Sequence, residues 1–406
     1  MKKPVSFAPI LADLETLTAR EGCSVLQVDK DDYVMAREFL LSYRGSLDTF
    51  NAYRREVERL LQWCSFVSIK KLKELTRIDL EAFIDFSRSP PILWIGTKQV
   101  SRFIEKNGLL LANPEWRPFL VKVSKEEHKQ GFVPDKNQYQ FSMSALHALF
   151  RILSTFFTFL EMEDYVLSNP IKKIRQKSQY LTKMQTKGTI RRLSDLQWDY
   201  VIETTRMMAE KDTAHERTLF VMETLYLMYL RISELAESSR WMPMMKHFYQ
   251  DHDGLWWFST LGKGNKARDV SVSDAMLRAL KRYRTFLGLP ELPSPSESTP
   301  LLIKQKGRGA LNSTRHIRTI VQECFDLTIQ RMESEGLKEE SLSLKSATVH
   351  WLRHTGISDD VKHRPREHVR DDAGHASSAT TDKYIDIDRQ ERYQSGKNKS
   401  VRPLFS

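Results

Sequence analysis

Apolar residues in the first half of the chain recur at three- and four-residue steps, the spacing that places them on one face of an α-helix. One such stripe covers 50–64 and another covers 146–160. Ser46 or Asp48 is a suitable N-cap for the first of these helices. The helices predicted in this half lie near 33–42, 50–64, 78–87 and 141–162. The stretch 89–140 is less regular because five prolines interrupt it.

The second half mixes helical and alternating patterns. Helices are predicted at 194–210, 215–229 and 273–287. Between them, apolar residues alternate on both sides of the turn Gly262-Lys263-Gly264-Asn265, which predicts a β-hairpin over Leu255–Ser273. The proline-rich stretch 288–300 is predicted to be a loop. A helical half therefore precedes a mixed α+β half, and the length of 406 residues suggests two or three domains.

The composition excludes several classes of protein. Hydrophobic residues make up 40% of the chain, which is enough for packed cores and excludes wholesale disorder. The three cysteines, at 23, 64 and 324, exclude a disulfide framework and a cysteine-rich zinc module. The apolar run Leu219–Leu230 is too short and too polar to span a bilayer, and the first fifteen residues do not resemble a signal peptide. We expect a soluble, cytoplasmic protein without a membrane segment.

The positive charge is concentrated in one segment. Lys and Arg number 63 against 52 Asp and Glu, a net charge of +11, which favours an anionic partner such as nucleic acid. Between Lys172 and Arg192 there are eight basic residues and no acidic one. We interpret this run as an interdomain linker, which is either merely solvated or a strap along a phosphate backbone. Its candidate DNA-binding residues are Lys172, Lys173, Arg175, Lys177, Arg191 and Arg192.

Five segments far apart in the sequence each carry a residue suited to phosphate chemistry. Arginine can hold phosphate oxygens through paired donors, and histidine can donate a hydrogen bond or move a proton near neutral pH. Tyrosine becomes a nucleophile where cations and a base favour the phenolate. The segments are Arg231-Ile-Ser-Glu234, Gly262-Lys263-Gly264-Asn265-Lys266, His350-Trp-Leu-Arg353-His354, Gly374-His375 and Tyr384.

This order of Arg, Lys, His-x-x-Arg, His and Tyr resembles the tyrosine recombinase (phage integrase) family. The resemblance covers about 193–393 and extends more weakly over 45–173. It implies an all-α N-terminal core-binding (SAM-like) domain followed by a mixed α+β tyrosine recombinase catalytic domain. The expected division is an N-terminal extension (1–44), the core-binding domain (45–173), a basic linker (174–192), the catalytic domain (193–394) and a C-terminal tail (395–406).

The resemblance also implies a role for each residue. Arg231 and Arg353 would hold the phosphate, and His350 and His375 would assist them. Tyr384 would be the nucleophile and Lys263 the general acid. Further roles are implied for Glu234, which would orient Arg231, and for Lys266 and Arg268, which are candidate phosphate contacts.

The expected chemistry needs neither a metal ion nor another cofactor, because the phosphotyrosyl bond conserves the energy of the broken phosphodiester. His350 and His354 have the i, i+4 spacing of a metal pair, but no HExxH glutamate accompanies them, and we reject a metal site. The sequence departs from the family pattern in two places. Tyr229-Leu230 precedes Arg231 where a glycine is usual before the hydrophobic residue, and 359–372 is unusually polar.

The implied function is site-specific DNA recombination through a 3′-phosphotyrosine and a four-way junction, for a mobile element in integration, excision or cointegrate resolution. The implied partner is double-stranded DNA with inverted-repeat core sites, clamped by both domains. The protein would be a monomer in solution and a homotetramer on paired sites, with the need for an accessory protein left open. The alternatives are an inactive DNA-binding accessory protein of the same fold and a type IB topoisomerase-like enzyme.

Overall fold

In the computed structural model the chain divides into two compact units, Met1–Thr186 and Lys187–Ser406. The division falls inside the segment 174–192 that the sequence predicts to be a linker. The described residues are 7–15, 28–106, 109–123, 127, 131–176, 191–262, 264–382 and 396–397. Each unit is described by itself below.

Helices in the first unit begin at residues suited to capping. The Thr76 side chain accepts from the backbone N–H of Asp79. Ser46 stands at an N-cap, as predicted, with its hydroxyl 2.9 Å from that of Thr49. The helices are α1 (Lys30–Leu41), α2 (Leu47–Trp63), α3 (Arg77–Arg88), α4 (Met143–Met162) and α5 (Pro170–Gln176). The four helices that the periodicity predicts are therefore confirmed, with ends that differ by a few residues.

The apolar faces of α1 to α5 enclose one core. Phe39 lies at its centre, with ring centroids 5.6 Å from Tyr53 and 4.9 Å from Phe156. Helix α4 has the length and apolar composition of a membrane span, but its aromatic side chains, Phe150, Phe156 and Phe157 among them, are buried in this core. The prediction that this aromatic stripe is core is confirmed.

Residues that the sequence analysis assigns to an N-terminal extension contribute to the same core. Ile10 and Leu11 are buried, and their backbone N–H groups donate to the buried Glu58 carboxylate at 2.6 and 3.0 Å. Arg102 donates to both oxygens of that carboxylate at 2.7 Å. A buried carboxylate needs such partners, so this contact ties the start of the chain to α2.

The irregular stretch between α3 and α4 contains two short strand pairs. Strand β1 (Ile95–Gly96) pairs in parallel with β4 (Phe119–Leu120), and β2 (Phe103–Lys106) pairs with β3 (Leu109–Ala112) as an antiparallel hairpin. The periodicity does not predict these strands, because each has only two to four residues.

The start of the basic run is helical, which corrects its interpretation as linker from Lys172 onward. The Asn169 side chain accepts from the Ile171 N–H at 3.0 Å, and Pro170 occupies the first helical position. Ile171 and Ile174 are buried in the core. Lys172 and Lys173 are consequently exposed residues of α5.

The second unit is mixed, as predicted. Its helices are α6 (Asp195–Lys211), α7 (Glu216–Leu227), α8 (Ile232–Leu235), α9 (Asp274–Phe286), α10 (Thr314–Ser334), α11 (Lys338–Lys345), α12 (Val349–Asp360), α13 (Arg366–Ala373) and α14 (Ser378–Thr381). Its strands are β5 (Phe248–Gln250), β6 (Trp256–Leu261) and β7 (Ala267–Ser271). The predicted fold class, a helical domain followed by a mixed one, is confirmed.

The three strands form one antiparallel sheet in the order β5-β6-β7. The predicted hairpin is β6–β7, with Trp257 opposite Ser271 and Leu261 opposite Ala267. At its tip the Gly262 N–H donates to the Lys266 carbonyl at 2.8 Å, and Asn265 has a positive φ of 63°. The sheet packs on helices through Phe258, which is fully buried.

Candidate active site

Arg231 lies at the N-cap of the short helix α8, just after α7 ends. Its backbone N–H donates to Glu234 Oε2 at 3.0 Å, and its Nη1 donates to Glu234 Oε1 at 2.9 Å. Its Nη2 lies 3.5 Å from the Gly374 carbonyl oxygen. This contact places Arg231 beside the Gly374-His375 segment, although Arg231 and Gly374 are 143 residues apart in the sequence.

Glu234 is the buried carboxylate of the site, with 1% of its surface exposed. Arg268, on β7, donates to both of its oxygens at 2.8 Å. Burial opposes ionisation of Glu234, but the hydrogen bonds and charge of Arg268, with Arg231, lower the pKa of this carboxyl below its ordinary value. A charged Glu234 therefore holds two guanidiniums in fixed orientations.

Arg268, a candidate phosphate contact in the sequence analysis, is largely engaged within the protein. Its side chain is 11% exposed, and its Nε donates to the Asp372 carbonyl at 2.9 Å in addition to the two bonds to Glu234. These donors therefore face inward, and a contact of Arg268 with phosphate stays a prediction. The Lys266 side chain, two residues earlier, is exposed.

Arg353, on α12, is 5% exposed. Its Nη1 donates to the Tyr229 carbonyl, and its Nη2 donates to the Ala373 carbonyl at 2.6 Å. These two carbonyls lie two residues before Arg231 and two residues before His375. One guanidinium thus joins the three segments that carry the predicted site.

Two histidines complete the described part of the site. His350 precedes Arg353 by one turn of α12, and His375 follows Gly374, which ends α13 in the left-handed conformation. The His375 Nδ1 lies 2.9 Å from the Thr381 hydroxyl. Partial burial, then the charges of Arg353 and Arg231, lower the pKa of His375 to about 4.

His350 and His354 are affected in the same way. Partial burial and the nearby charges of Arg353, Arg318 and Arg231 lower the pKa of His350. Burial, then His350 and Arg353, lower the pKa of His354 to about 4. The rings of the site are therefore neutral near pH 7. Within the described ranges, no group of three or more His, Cys, Asp and Glu side chains has the spacing to hold a metal ion.

Several predicted residues lie outside the described part of the chain: the general acid Lys263, the nucleophile Tyr384 and the linker residue Lys177. Arg175 lies in α5, and its side chain is not described. Among the other linker residues, Lys172 pairs with Glu161 at 3.0 Å, Arg191 is exposed, and Arg192 lies 4.0 Å from Asp359. Their contact with DNA stays a prediction.

A second basic segment, which the sequence analysis does not single out, lies beside the site. Residues 298–322 contain five Lys and Arg and no acidic residue, the same signal as in the first run. Arg318 lies close enough to His350 to affect its pKa. Exposed cations of this segment are Lys306, Arg308, Arg315 and Arg318.

The site combines guanidiniums and neutral imidazoles with a buried carboxylate. Such a combination is typical of sites that bind phosphate esters and stabilise charge on their oxygens. Residues 200–391 match the phage integrase family, and this part of the chain is a domain of that family, the tyrosine recombinases. No curated protein matches the chain.

Solved structures share the fold of the whole chain. The XerH site-specific recombinase bound to palindromic difH substrate, in a post-cleavage complex, has a TM-score of 0.54 at 16% identity and covers 95% of this chain and 92% of its own. The pre-cleavage complex of XerH with difH gives 0.51 at 15% identity, covering 94% and 92%. The Tn1549 transposon integrase in complex with a circular intermediate DNA gives 0.48 at 13% identity, covering 89% and 99%.

Proposed function

We propose that this protein is a site-specific DNA recombinase that cleaves and rejoins DNA through a 3′-phosphotyrosine. The observation that carries the proposal is the pair of hydrogen bonds that Arg353 donates to the Tyr229 and Ala373 carbonyls. It brings Arg231, His350 and His375 together from three distant segments, inside a domain of the tyrosine recombinase family. The first two of these segments are 119 residues apart, so this arrangement depends on the fold.

In the proposed reaction, the Tyr384 oxygen attacks the scissile phosphorus. A neutral imidazole, at His350 or His375, takes the phenol proton, because a phenol of ordinary pKa is a poor nucleophile. The bond to the 5′-oxygen breaks as the phosphotyrosyl bond forms, and Lys263 gives that oxygen its proton. Rejoining is the reverse, with the 5′-hydroxyl of another strand as nucleophile.

The two arginines stabilise the charge that develops on the non-bridging oxygens. Their orientation is set before DNA binds, Arg231 by Glu234 and Arg353 by two carbonyls. Such preorganisation is favourable, because the groups need not reorient as the reaction proceeds. The chemistry requires no metal ion or other cofactor.

The proposed partner is double-stranded DNA carrying inverted-repeat core sites, in the cytoplasm. Structures of XerH bound to its difH substrate have this fold, which supports a DNA partner. The exposed cations of 172–192 and 298–322 supply the contacts to the phosphate backbone. We propose that a monomer in solution assembles into a homotetramer on two paired sites and exchanges strands through a four-way junction.

The test uses a duplex selected from a random pool by binding to the protein, then nicked beside the cleaved phosphate so that the leaving strand is lost. Wild type should form a covalent complex that survives denaturation. Tyr384→Phe should bind the same DNA with similar affinity and form no covalent complex, because the nucleophilic oxygen is gone. Tyr393→Phe is the matched control and should react like wild type.

Each other outcome identifies an alternative. A covalent complex that persists in Tyr384→Phe and disappears in Tyr393→Phe would show that Tyr393 is the nucleophile. A wild-type protein that binds the duplex and never reacts would be an inactive accessory protein. Relaxation of supercoiled DNA without exchange between two sites would indicate a topoisomerase-like enzyme.

A further inference from the structure

Tyr229 has an unusual backbone conformation for a large side chain. It follows α7 with a φ of 50°, in the left-handed region that residues with a Cβ rarely occupy. Its ring is 1% exposed. A buried aromatic residue keeps such a conformation only where its surroundings hold it there, and such positions concentrate at functional sites.

The tyrosine hydroxyl is held by a polar cluster. It donates to Asp360 Oδ2 and accepts from Arg364 Nη1 at 3.0 Å, while the same Nη1 donates to Asp360 at 2.9 Å. Burial, then Asp360, raises the pKa of Tyr229 far above its ordinary value. The hydroxyl is therefore protonated, and Tyr229, Asp360 and Arg364 form a closed ring of hydrogen bonds.

The cluster extends to the end of α13. Arg364 Nη2 donates to Asp372 Oδ2 at 2.6 Å, and the Ser271 hydroxyl donates to the same oxygen at 2.6 Å. Asp372 is buried and directly precedes Ala373. We call Tyr229, Asp360, Arg364 and Asp372 the Tyr229 cluster.

The Tyr229 cluster contains or adjoins both carbonyls that receive Arg353. One belongs to Tyr229 itself, and its direction depends on the left-handed backbone that the hydroxyl anchors. The other belongs to Ala373, next to the anchored Asp372. The two Nη atoms of one guanidinium donate to these carbonyls, so the plane of Arg353 follows from their positions.

We propose that Tyr229 is a positioning residue, whose buried hydroxyl fixes the guanidinium of Arg353 in the orientation that holds the scissile phosphate. This inference rests on the proposed function for its role in catalysis. The two partners of the hydroxyl, Asp360 and Arg364, and Asp372 beyond them act through the same geometry. Asp360, Arg364 and Asp372 of the polar stretch 359–372 therefore belong to the site, whereas Lys362, His363 and residues 366–368 are exposed.

The test is Tyr229→Phe, which removes the hydroxyl and keeps the ring. The matched control is Tyr226→Phe. Tyr226 is one turn earlier, and its hydroxyl also donates to an aspartate, Asp359, at 2.9 Å, whereas the two carbonyls that receive Arg353 belong to Tyr229 and Ala373. At saturating nicked duplex we expect Tyr229→Phe to cleave roughly 10–100-fold more slowly, the scale of a misplaced catalytic group. The affinity for DNA should not change, and Tyr226→Phe should stay near wild type.

A second substrate separates positioning from general destabilisation. In a methylphosphonate, a neutral methyl group replaces one charged non-bridging oxygen, so less charge develops for Arg353 to stabilise. The ratio of wild-type to Tyr229→Phe rates should be several-fold smaller on this substrate. An equal ratio on both substrates, or a Tyr229→Phe protein as fast as Tyr226→Phe, would overturn the proposal.

Two further measurements test the proposal if Tyr229→Phe does not fold or if wild type does not react with DNA. If Tyr229→Phe does not fold, Asp360→Asn, which weakens the same anchor, should give the same selective loss. If wild type reacts with no DNA, the proposed function fails, and the guanidinium NMR signals of Arg353 then decide the positioning. They should broaden in Tyr229→Phe and not in Tyr226→Phe, and unchanged signals would contradict the inference.

Discussion

His375 illustrates how the site sets the state of a single residue. Its ring lies near Arg353, Arg231 and Arg268, and these charges add to partial burial in opposing protonation. A neutral imidazole can accept a proton at pH 7, whereas an imidazolium cannot. Crowding guanidiniums around a histidine thus keeps its ring neutral at pH 7, while the lowered pKa makes it a weaker base.

The pH dependence of stability follows from this shift. The folded-state pKa of His375 is about 4, against an ordinary value of 6.5 that the unfolded chain retains. The unfolded chain therefore binds more protons between these values, and stability falls as the pH falls from about 6.5 towards 4. His375→Gln, which cannot titrate, should lose less stability than wild type over this range, as measured by urea unfolding at pH 7 and pH 5.

The variant still contains His350 and His354, whose lowered pKa values cause part of the same loss. The expected result is hence a shallower decline rather than none. Equal declines in His375→Gln and wild type, or an NMR titration of His375 near 6.5, would contradict the assignment.

At the scale of elements, the contact of α7 with α12 depends on Gly356. A Cβ at this position would overlap the Tyr226 carbonyl oxygen and lie 3.1 Å from the Tyr229 ring. The absence of a side chain lets the two helices approach closely. This approach places Arg353 and Asp360, on α12, beside Tyr229.

Gly356→Ala should lower the free energy of unfolding by about 1–3 kcal/mol, the usual cost of an added group in a packed core. Its neighbour is backbone, which cannot move aside without shifting a helix. Urea unfolding is the measurement, with Gly45→Ala as control, because a Cβ at Gly45 meets nothing within 4 Å. A Gly356→Ala protein as stable as wild type would show that the helices can separate at no cost.

Two segments account for the net positive charge of the chain. The runs 172–192 and 298–322 hold 8 and 5 basic residues, which leaves 63 − 13 = 50 against 52 acidic residues elsewhere. Outside these runs the chain is close to neutral. Arg315 and Arg318 also stand in the first turns of α10, where the helix dipole disfavours cations. The proposed binding of DNA phosphates would account for this placement.

Substituting Gln for Lys306, Arg308, Arg315 and Arg318 should weaken binding to all DNA sequences alike. The dependence of log K on log salt should become shallower by about 0.9 for each lost phosphate contact. The same changes at Lys172, Lys173, Arg175 and Lys177 test the first run. The control is Lys211→Gln with Lys338→Gln, which lie beside acidic residues, and it should keep the wild-type slope. An unchanged slope in either set would show that its segment is merely solvated.

The sequence by itself determined the elements whose contacts are local. Helices such as Leu47–Trp63 follow from their apolar stripes, and the hairpin follows from the turn at Gly262–Asn265. Helix α10 (Thr314–Ser334) also has an apolar stripe, so the same signal was present there. The order of Arg231, His350, Arg353 and His375 identified the family domain, because the chemistry restricts the residue types.

Tertiary structure alone decided which partner each polar side chain takes. Arg268 faces Glu234, 34 residues earlier, and the Tyr229 hydroxyl faces Asp360, 131 residues later. No spacing rule links such pairs, because their contact depends on how β7, α7 and α12 pack. From the sequence, Arg268 was therefore only a candidate phosphate contact, and the polar stretch 359–372 had no explanation. Burial makes an unpaired charge costly, so once folding brings these groups together the pairs become obligatory.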